Sequence, residues 1–307
     1  MSASCVYLRT PEMFYYSKSH EKHLPKAMKI YFRSVTDKRI IVKEGKGDSR
    51  TMSRRIKLTV QYDGSLYHGW QFQPSGMTIQ GMLQDCIYQV SGERVQVVGA
   101  GRTDAGVHAM EQIAAFDVHS SMDISVIKRA LNALLPPDVR VMNIEEVTAD
   151  FHPRYGAKGK CYVYLIANMR DVPVFVRGYA WKVKEPLDLE AMRTASAHLL
   201  GRHDFSSFRA AGCASRHPLR TIHEIGIERL CEAPFICGGL RGEFVRITVE
   251  ADAFLRHMVR TIVGTLVEVG KGKLQPEMVR EILEKKERRL AGPTAPPQGL
   301  FLKKIFY

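Results

Sequence analysis

The sequence predicts an α+β protein built as two α/β halves with largely antiparallel sheets. From residue 55 onward, stretches that alternate apolar and polar residues give way repeatedly to stretches with apolar residues three and four apart. The links between several strand-like stretches are shorter than the dozen or more residues that a parallel crossover takes. At 307 residues, 45% of them hydrophobic, the chain is long enough for about two domains with substantial cores.

Ile56-Lys57-Leu58-Thr59-Val60 alternates as a first strand and leads into the loop Asp63-Gly64-Ser65-Leu66-Tyr67-His68-Gly69-Trp70-Gln71. Thr78 is placed to cap a helix whose apolar residues, Ile79, Met82, Leu83, Cys86, Ile87 and Val90, fall on one face. Val95 and Val97 begin a second strand that runs into Gly101-Arg102-Thr103-Asp104-Ala105-Gly106-Val107-His108-Ala109, and Ile113 to Val118 returns as a third. A second helix with Ile124, Ile127, Ala130, Leu131, Leu134 and Leu135 inward is stopped by Pro136-Pro137, and Val139, Val141 and Ile144 follow as a strand. The second half begins with Cys161 to Ile166 as a strand. Asp188 then caps a helix that carries Leu189, Met192, Leu199 and Leu200 and ends at Gly201. Phe244 to Val249 alternates once more, and a long apolar helix is expected from Phe254 through Val269. The implied divisions are residues 1–54, a basic extension; 55–152, one α/β half; and 153–307, the other.

Net charge is +13, of which residues 1–54 hold +7 from twelve Lys/Arg against five Asp/Glu. Such an excess favours a polyanionic partner, with nucleic acid ahead of a membrane because no basic amphipathic helix stands out. No apolar run reaches the 18 or so residues of a transmembrane helix, and no signal-peptide core opens the chain, so the expectation is a cytoplasmic protein with no membrane partner. For residues 1–51 the readings are a late true start at Met52, an RNA-binding arm, or a transit peptide, the last disfavoured by its acidic residues. The six cysteines form no C-x-x-C pair and the eleven histidines no H-E-x-x-H cluster, so no metal is expected. P-loop and G-x-G-x-x-G signatures are absent as well, and the chemistry is expected to need no cofactor.

Asp104 is the candidate reactive group. It lies between Gly101 and Gly106, on a connection between two strands, with Arg102 two residues away as a cation able to keep it charged. Carboxylates near glycines are also common in plain turns, but no Gly follows Asp104 directly as a two-residue hairpin would want. Arg256, Arg260 and Gly264 recur every four residues, so one face of the last helix is expected to present cations beside a small residue.

Gly101 to Ala109 resembles the signature of the TruA-type tRNA pseudouridine synthases. Four further blocks are similar to that family in the same order. They are Tyr62-Asp63-Gly64 with Tyr67 and Gly69-Trp70-Gln71; Phe151-His152-Pro153-Arg154 with Lys160 to Tyr164; Asp204 to Arg209 with Arg220-Thr221-Ile222; and Phe254 to Gly264. Together they span about residues 55–307. The resemblance implies the pseudouridine synthase fold with its active site in a cleft between the halves, and an isomerase that converts uridine to pseudouridine at positions 38, 39 and 40 of the tRNA anticodon stem-loop. It also implies a homodimer.

Asp104 then corresponds to the catalytic aspartate and Arg102 to the arginine that interacts with it and helps displace the target base. Tyr162 corresponds to the tyrosine that stacks on the base and is proposed to remove a proton, and Arg260 to an arginine that pairs with the aspartate. Asp104 is left with three options: attack at C1′, attack at C6, or abstraction of the C2′ proton. Phe205 and Phe208 are read either as base-stacking or as core residues, and His108 and Trp70 as structural. Two alternatives stand beside this reading: a synthase of the same family with another RNA target, and a tRNA-binding protein with a silent site.

Overall fold

The computed structural model describes residues 52–213, 215, 217–233 and 240–307. The expectations for residues 1–51 lie outside the described residues. Ten strands form one sheet, ordered β4-β1-β3-β10-β5-β9-β8-β7, with β2 paired to β3 and β6 to β5. The strands are β1 (Arg54–Tyr62), β2 (Val98–Gly99), β3 (His108–Val118), β4 (Val139–Val147), β5 (Gly159–Ala167), β6 (Trp181–Lys182), β7 (Gly201–Asp204), β8 (Leu219–Glu232), β9 (Arg241–Ala251) and β10 (Leu300–Phe306). The α-helices are α1 (Ile79–Ser91), α2 (Ile124–Leu134), α3 (Leu189–Ala197), α4 (Met258–Gly270) and α5 (Met278–Lys285). Every pairing is antiparallel except β3 with β10 and β5 with β6. The α+β class and the largely antiparallel pairing are as the sequence predicts, and the strands of both halves share one sheet.

The local signals explain most elements. Thr78 accepts a hydrogen bond from the Gly81 amide, Gly92 ends α1 at φ +76°, and all six apolar residues assigned to that helix are buried. In α2, Ile127, Leu131 and Leu134 are buried, while Ile124 and Ala130 are only half-buried. Asp188 caps α3 through the amides of Glu190 and Ala191, but the helix stops at Ala197, so Leu200 lies beyond it and is exposed. The second strand is shorter than its valines suggest, holding only Val98 and Gly99.

The largest departure is at α4. The apolar run from Phe254 predicts helix, yet His257 adopts φ +62° and the helix begins at Met258. Arg256 therefore lies ahead of the helix and does not continue the face of Arg260 and Gly264. Gly264 serves packing there: a Cβ on it would stand 1.7 Å from the Pro293 carbonyl oxygen.

β10 sets the spacing that matters for function. Leu302 pairs with Ala109 on one side and Tyr162 on the other. The loop that leads into β3 and the side chains of β5 are thus separated by one strand, or two strand spacings of about 4.8 Å.

Candidate active site

The loop from Gly101 to Val107 is fixed from several directions before any ligand arrives. Gln112 donates to the Gly101 carbonyl (2.7 Å) and accepts from its amide (3.3 Å). Tyr62 and Thr103 share a buried hydroxyl–hydroxyl hydrogen bond of 2.8 Å. The Trp70 amide donates to the Thr103 carbonyl, and the Val107 amide closes a turn onto the Asp104 carbonyl. Two glycines are required for this arrangement. Gly106 turns at φ +77°, and Gly69, at φ +88°, packs so closely that a Cβ would lie 2.5 Å from the Thr103 carbonyl oxygen. A carboxylate on so constrained a backbone has little orientation left to lose on binding, which is what preorganisation means for a reacting group.

Asp104 meets its cation from the other half of the chain. Arg260, on α4, donates Nη1–H to Asp104 Oδ2 at 3.0 Å and Nε–H to the Ala295 carbonyl at 2.7 Å, which fixes its guanidinium plane. Arg260 is 13% exposed and Asp104 27%, so the pair is poorly screened while the carboxylate stays open to a ligand. Arg102 is placed differently: it is exposed and makes no hydrogen bond or ion pair among the described residues. The cation holding Asp104 is Arg260 rather than its sequence neighbour. Asp104 Oδ1 has no partner among the described residues.

Tyr162 projects from β5 toward the same loop. Its hydroxyl lies 3.8 Å from where a Cβ on Gly101 would be, so the missing side chain at 101 leaves room beside the phenol. Phe254 packs against it edge-on, with ring centroids 5.1 Å apart. Burial pushes the Tyr162 phenol well above the ordinary tyrosine range, and the nearby Tyr62 and Asp104 add to the rise. The group is a neutral phenol near pH 7.

Two site residues are not evident in sequence. Lys160 shares the Tyr162 face of β5 and donates its ammonium to the Ala100 carbonyl at 2.7 Å. Burial, with Arg154 and Arg220 nearby, brings it down to about 8. A lysine two residues before an aromatic in a strand signals same-face placement, but nothing in the sequence says what that face meets. His257 places Nε2 3.5 Å from Asp104 Oδ2. Of the remaining candidates, Phe205, Phe208, Trp70 and His108 are all at most 2% exposed, which makes the two phenylalanines core residues. No cluster of potential metal ligands occurs among the described residues.

Comparison with known proteins identifies the family of the chain. A family model described as tRNA pseudouridine synthase matches residues 58–156 and 195–307. A tRNA pseudouridine synthase A from Myxococcus xanthus is 49% identical over 253 residues, covering 82% of this chain and 92% of that protein. One from Syntrophomonas wolfei is 47% identical (82% and 97% covered), and one from a Thermoanaerobacter strain 42% identical (83% and 100% covered). The aspartate with its sequence-distant arginine and buried tyrosine therefore sits on a chain that belongs to the tRNA pseudouridine synthase family, isomerases that act on uridine in tRNA.

Proposed function

We propose that the protein isomerises the uridines at positions 38, 39 and 40 of the tRNA anticodon stem-loop, with Asp104 as the reacting carboxylate. The observation that carries this is the Asp104–Arg260 pair, a preorganised and still accessible carboxylate whose second oxygen, Oδ1, is left for a nucleotide. The halves 55–152 and 153–307 bound the cleft in which it lies. In keeping with the family resemblance, the enzyme works as a homodimer in the cytoplasm; no helix among the described residues is long and apolar enough to cross a membrane.

The reaction breaks the bond between N1 and C1′, turns the uracil, joins C5 to C1′ and releases the proton from C5, while N1 gains one. No atoms are lost, so the protein must supply a bare nucleotide, a carboxylate beside the sugar and C6, and a path for one proton. Extruding the uridine costs a few kcal/mol of stacking. The exposed Arg102 stands at the mouth of the site to fill the vacated stack, and phosphate contacts to the basic surface offset part of that cost. Arg260, hydrogen-bonded to Asp104 Oδ2, stabilises charge that moves on and off the carboxylate. Tyr162 offers its ring to the flipped base. As a neutral phenol it acts as a relay: the hydroxyl receives the C5 proton through a bound water while its own proton passes to solvent, which supplies the proton that N1 gains.

Tritium release from tRNA labelled at uridine C5 tests the reading directly. Release, with pseudouridine mapped to positions 38–40, is the expected outcome. Release with pseudouridine elsewhere would favour another RNA target, and binding without release a silent tRNA-binding protein.

A further inference from the structure

His257 stands out on two independent grounds. It is one of two non-glycine residues with positive φ among the described residues, at φ +62° and ψ +2°. The other, Lys286, follows the C-terminus of α5, where left-handed backbone is ordinary. His257 instead occupies the N-cap of α4, where extended backbone is the norm, and its side chain caps nothing. Strain of this kind persists where surrounding structure enforces it, often at functional sites. Here the left-handed backbone accompanies a side chain whose Nε2 lies 3.5 Å from Asp104 Oδ2.

We propose that His257 is a positioning residue for Asp104. The imidazole and Arg260 converge on Oδ2 and so leave Oδ1 as the oxygen that meets the nucleotide. This rests on the reading of Asp104 as the reacting carboxylate. The charges around the ring agree with a neutral donor. Burial disfavours the imidazolium, Asp104 favours it, and Arg260 on α4, Arg256 in the preceding turn and Arg288 in the turn after α5 all oppose it. The balance lies below the ordinary histidine value. With Nε2 carrying the proton, the neutral ring donates toward Oδ2. The separation of 3.5 Å is long for a hydrogen bond, as such contacts often are before substrate closes the site. Protonation at lower pH adds a second full positive charge on Oδ2 and makes the carboxylate a poorer nucleophile and base.

The test uses the full chain and C5-tritiated tRNA. His257→Gly keeps the left-handed backbone without an imidazole; His257→Asn keeps that backbone and a shorter donor. The glycine variant is expected to lose about tenfold or more in kcat, with KM and tRNA affinity within about twofold. Asparagine is expected to recover part of that loss. The acidic limb of wild-type kcat, followed from about pH 5.5 to 8.5, should change shape in both variants, because the histidine no longer titrates. Wild-type kcat in His257→Gly overturns the proposal. So does a loss that is equal in both variants and tracks lowered tRNA affinity or melting temperature. If the glycine variant does not fold, an unchanged acidic limb in His257→Asn overturns it. Asp104→Asn, measured alongside, separates the two readings. Turnover by that variant removes Asp104 and His257 together. Its inactivity beside a fully active His257→Gly removes only His257.

Discussion

Asp104 takes its charge partner from a residue 156 positions away, and this decides how its substitutions should behave. Asp104→Asn preserves shape and the backbone network of the loop but not the ionised oxygen. Tritium release should fall to background, while tRNA affinity measured by filter binding stays within a few fold. Measurable turnover by that variant would take Asp104 out of the reaction. Tyr162→Phe keeps the ring, its edge-on contact with Phe254 and most of its burial. It should therefore bind tRNA normally and fail to release label, whereas normal release would show that the hydroxyl is unnecessary. Asp104, Arg260 and Tyr162 were legible because each sits in a motif that matches a family block. His257 sits in such a block too, yet its role is carried by a backbone angle, and apolar spacing encodes no φ. Arg102 shows the converse: adjacency in sequence suggested an ion pair that the loop's turn does not make.

At the level of elements, α4 is both scaffold and contributor. Gly264 meets the backbone around Pro293, and two residues further along that segment Ala295 accepts the Arg260 guanidinium. In an open helix, Gly→Ala would stabilise by about 1 kcal/mol. At Gly264 the new methyl meets a carbonyl oxygen at 1.7 Å, and overpacking of about 1–3 kcal/mol outweighs the helix propensity. Gly264→Ala should lower the melting temperature by about 2–10 °C, read by thermal denaturation. It should also lower turnover more than tRNA affinity, because the Arg260 anchor shifts. The capped helices were readable because their signals are local. β8 and β10 were not, and bulges are the reason. The register slips between Leu302 and Lys304 in β10 and between Ile222 and Glu224 in β8, so the buried residues Leu302 and Ile305, or Ile222 and Ile227, fall out of period two.

Across the molecule, the segments on either side of β10 are also joined by polar contacts away from the site. Tyr179 donates to Asp63 Oδ2 at 2.6 Å, and Ser65 donates to Oδ1. Burial opposes the charge on Asp63, but hydrogen bonds from His108, Ser65 and Tyr179 together hold its carboxyl well below the usual carboxylate range. A depressed carboxyl stabilises the fold above the unfolded value, near pH 4, and that stabilisation is lost as pH falls toward the folded value. Asp63→Asn should therefore be destabilising at pH 7 by urea denaturation, with the gap from wild type narrowing below about pH 4. A gap that stays constant with pH would remove the charge from the explanation. That the strands would pair mostly antiparallel was legible from short links, whereas the joining of both halves in one sheet was not, since it depends on a strand whose pattern is bulged. That strand has a consequence in time. β3 and β5 do not touch along the sheet, and the strand that fills the gap is translated last among those described. At about 5–20 residues per second, the roughly 130 residues from Ala167 to Leu300 take on the order of 7–27 s to synthesise. Throughout that interval the nascent chain carries two unpaired sheet edges, on β3 and β5, and the Asp104 loop and the Tyr162 face reach their final spacing only when synthesis of the closing strand is complete.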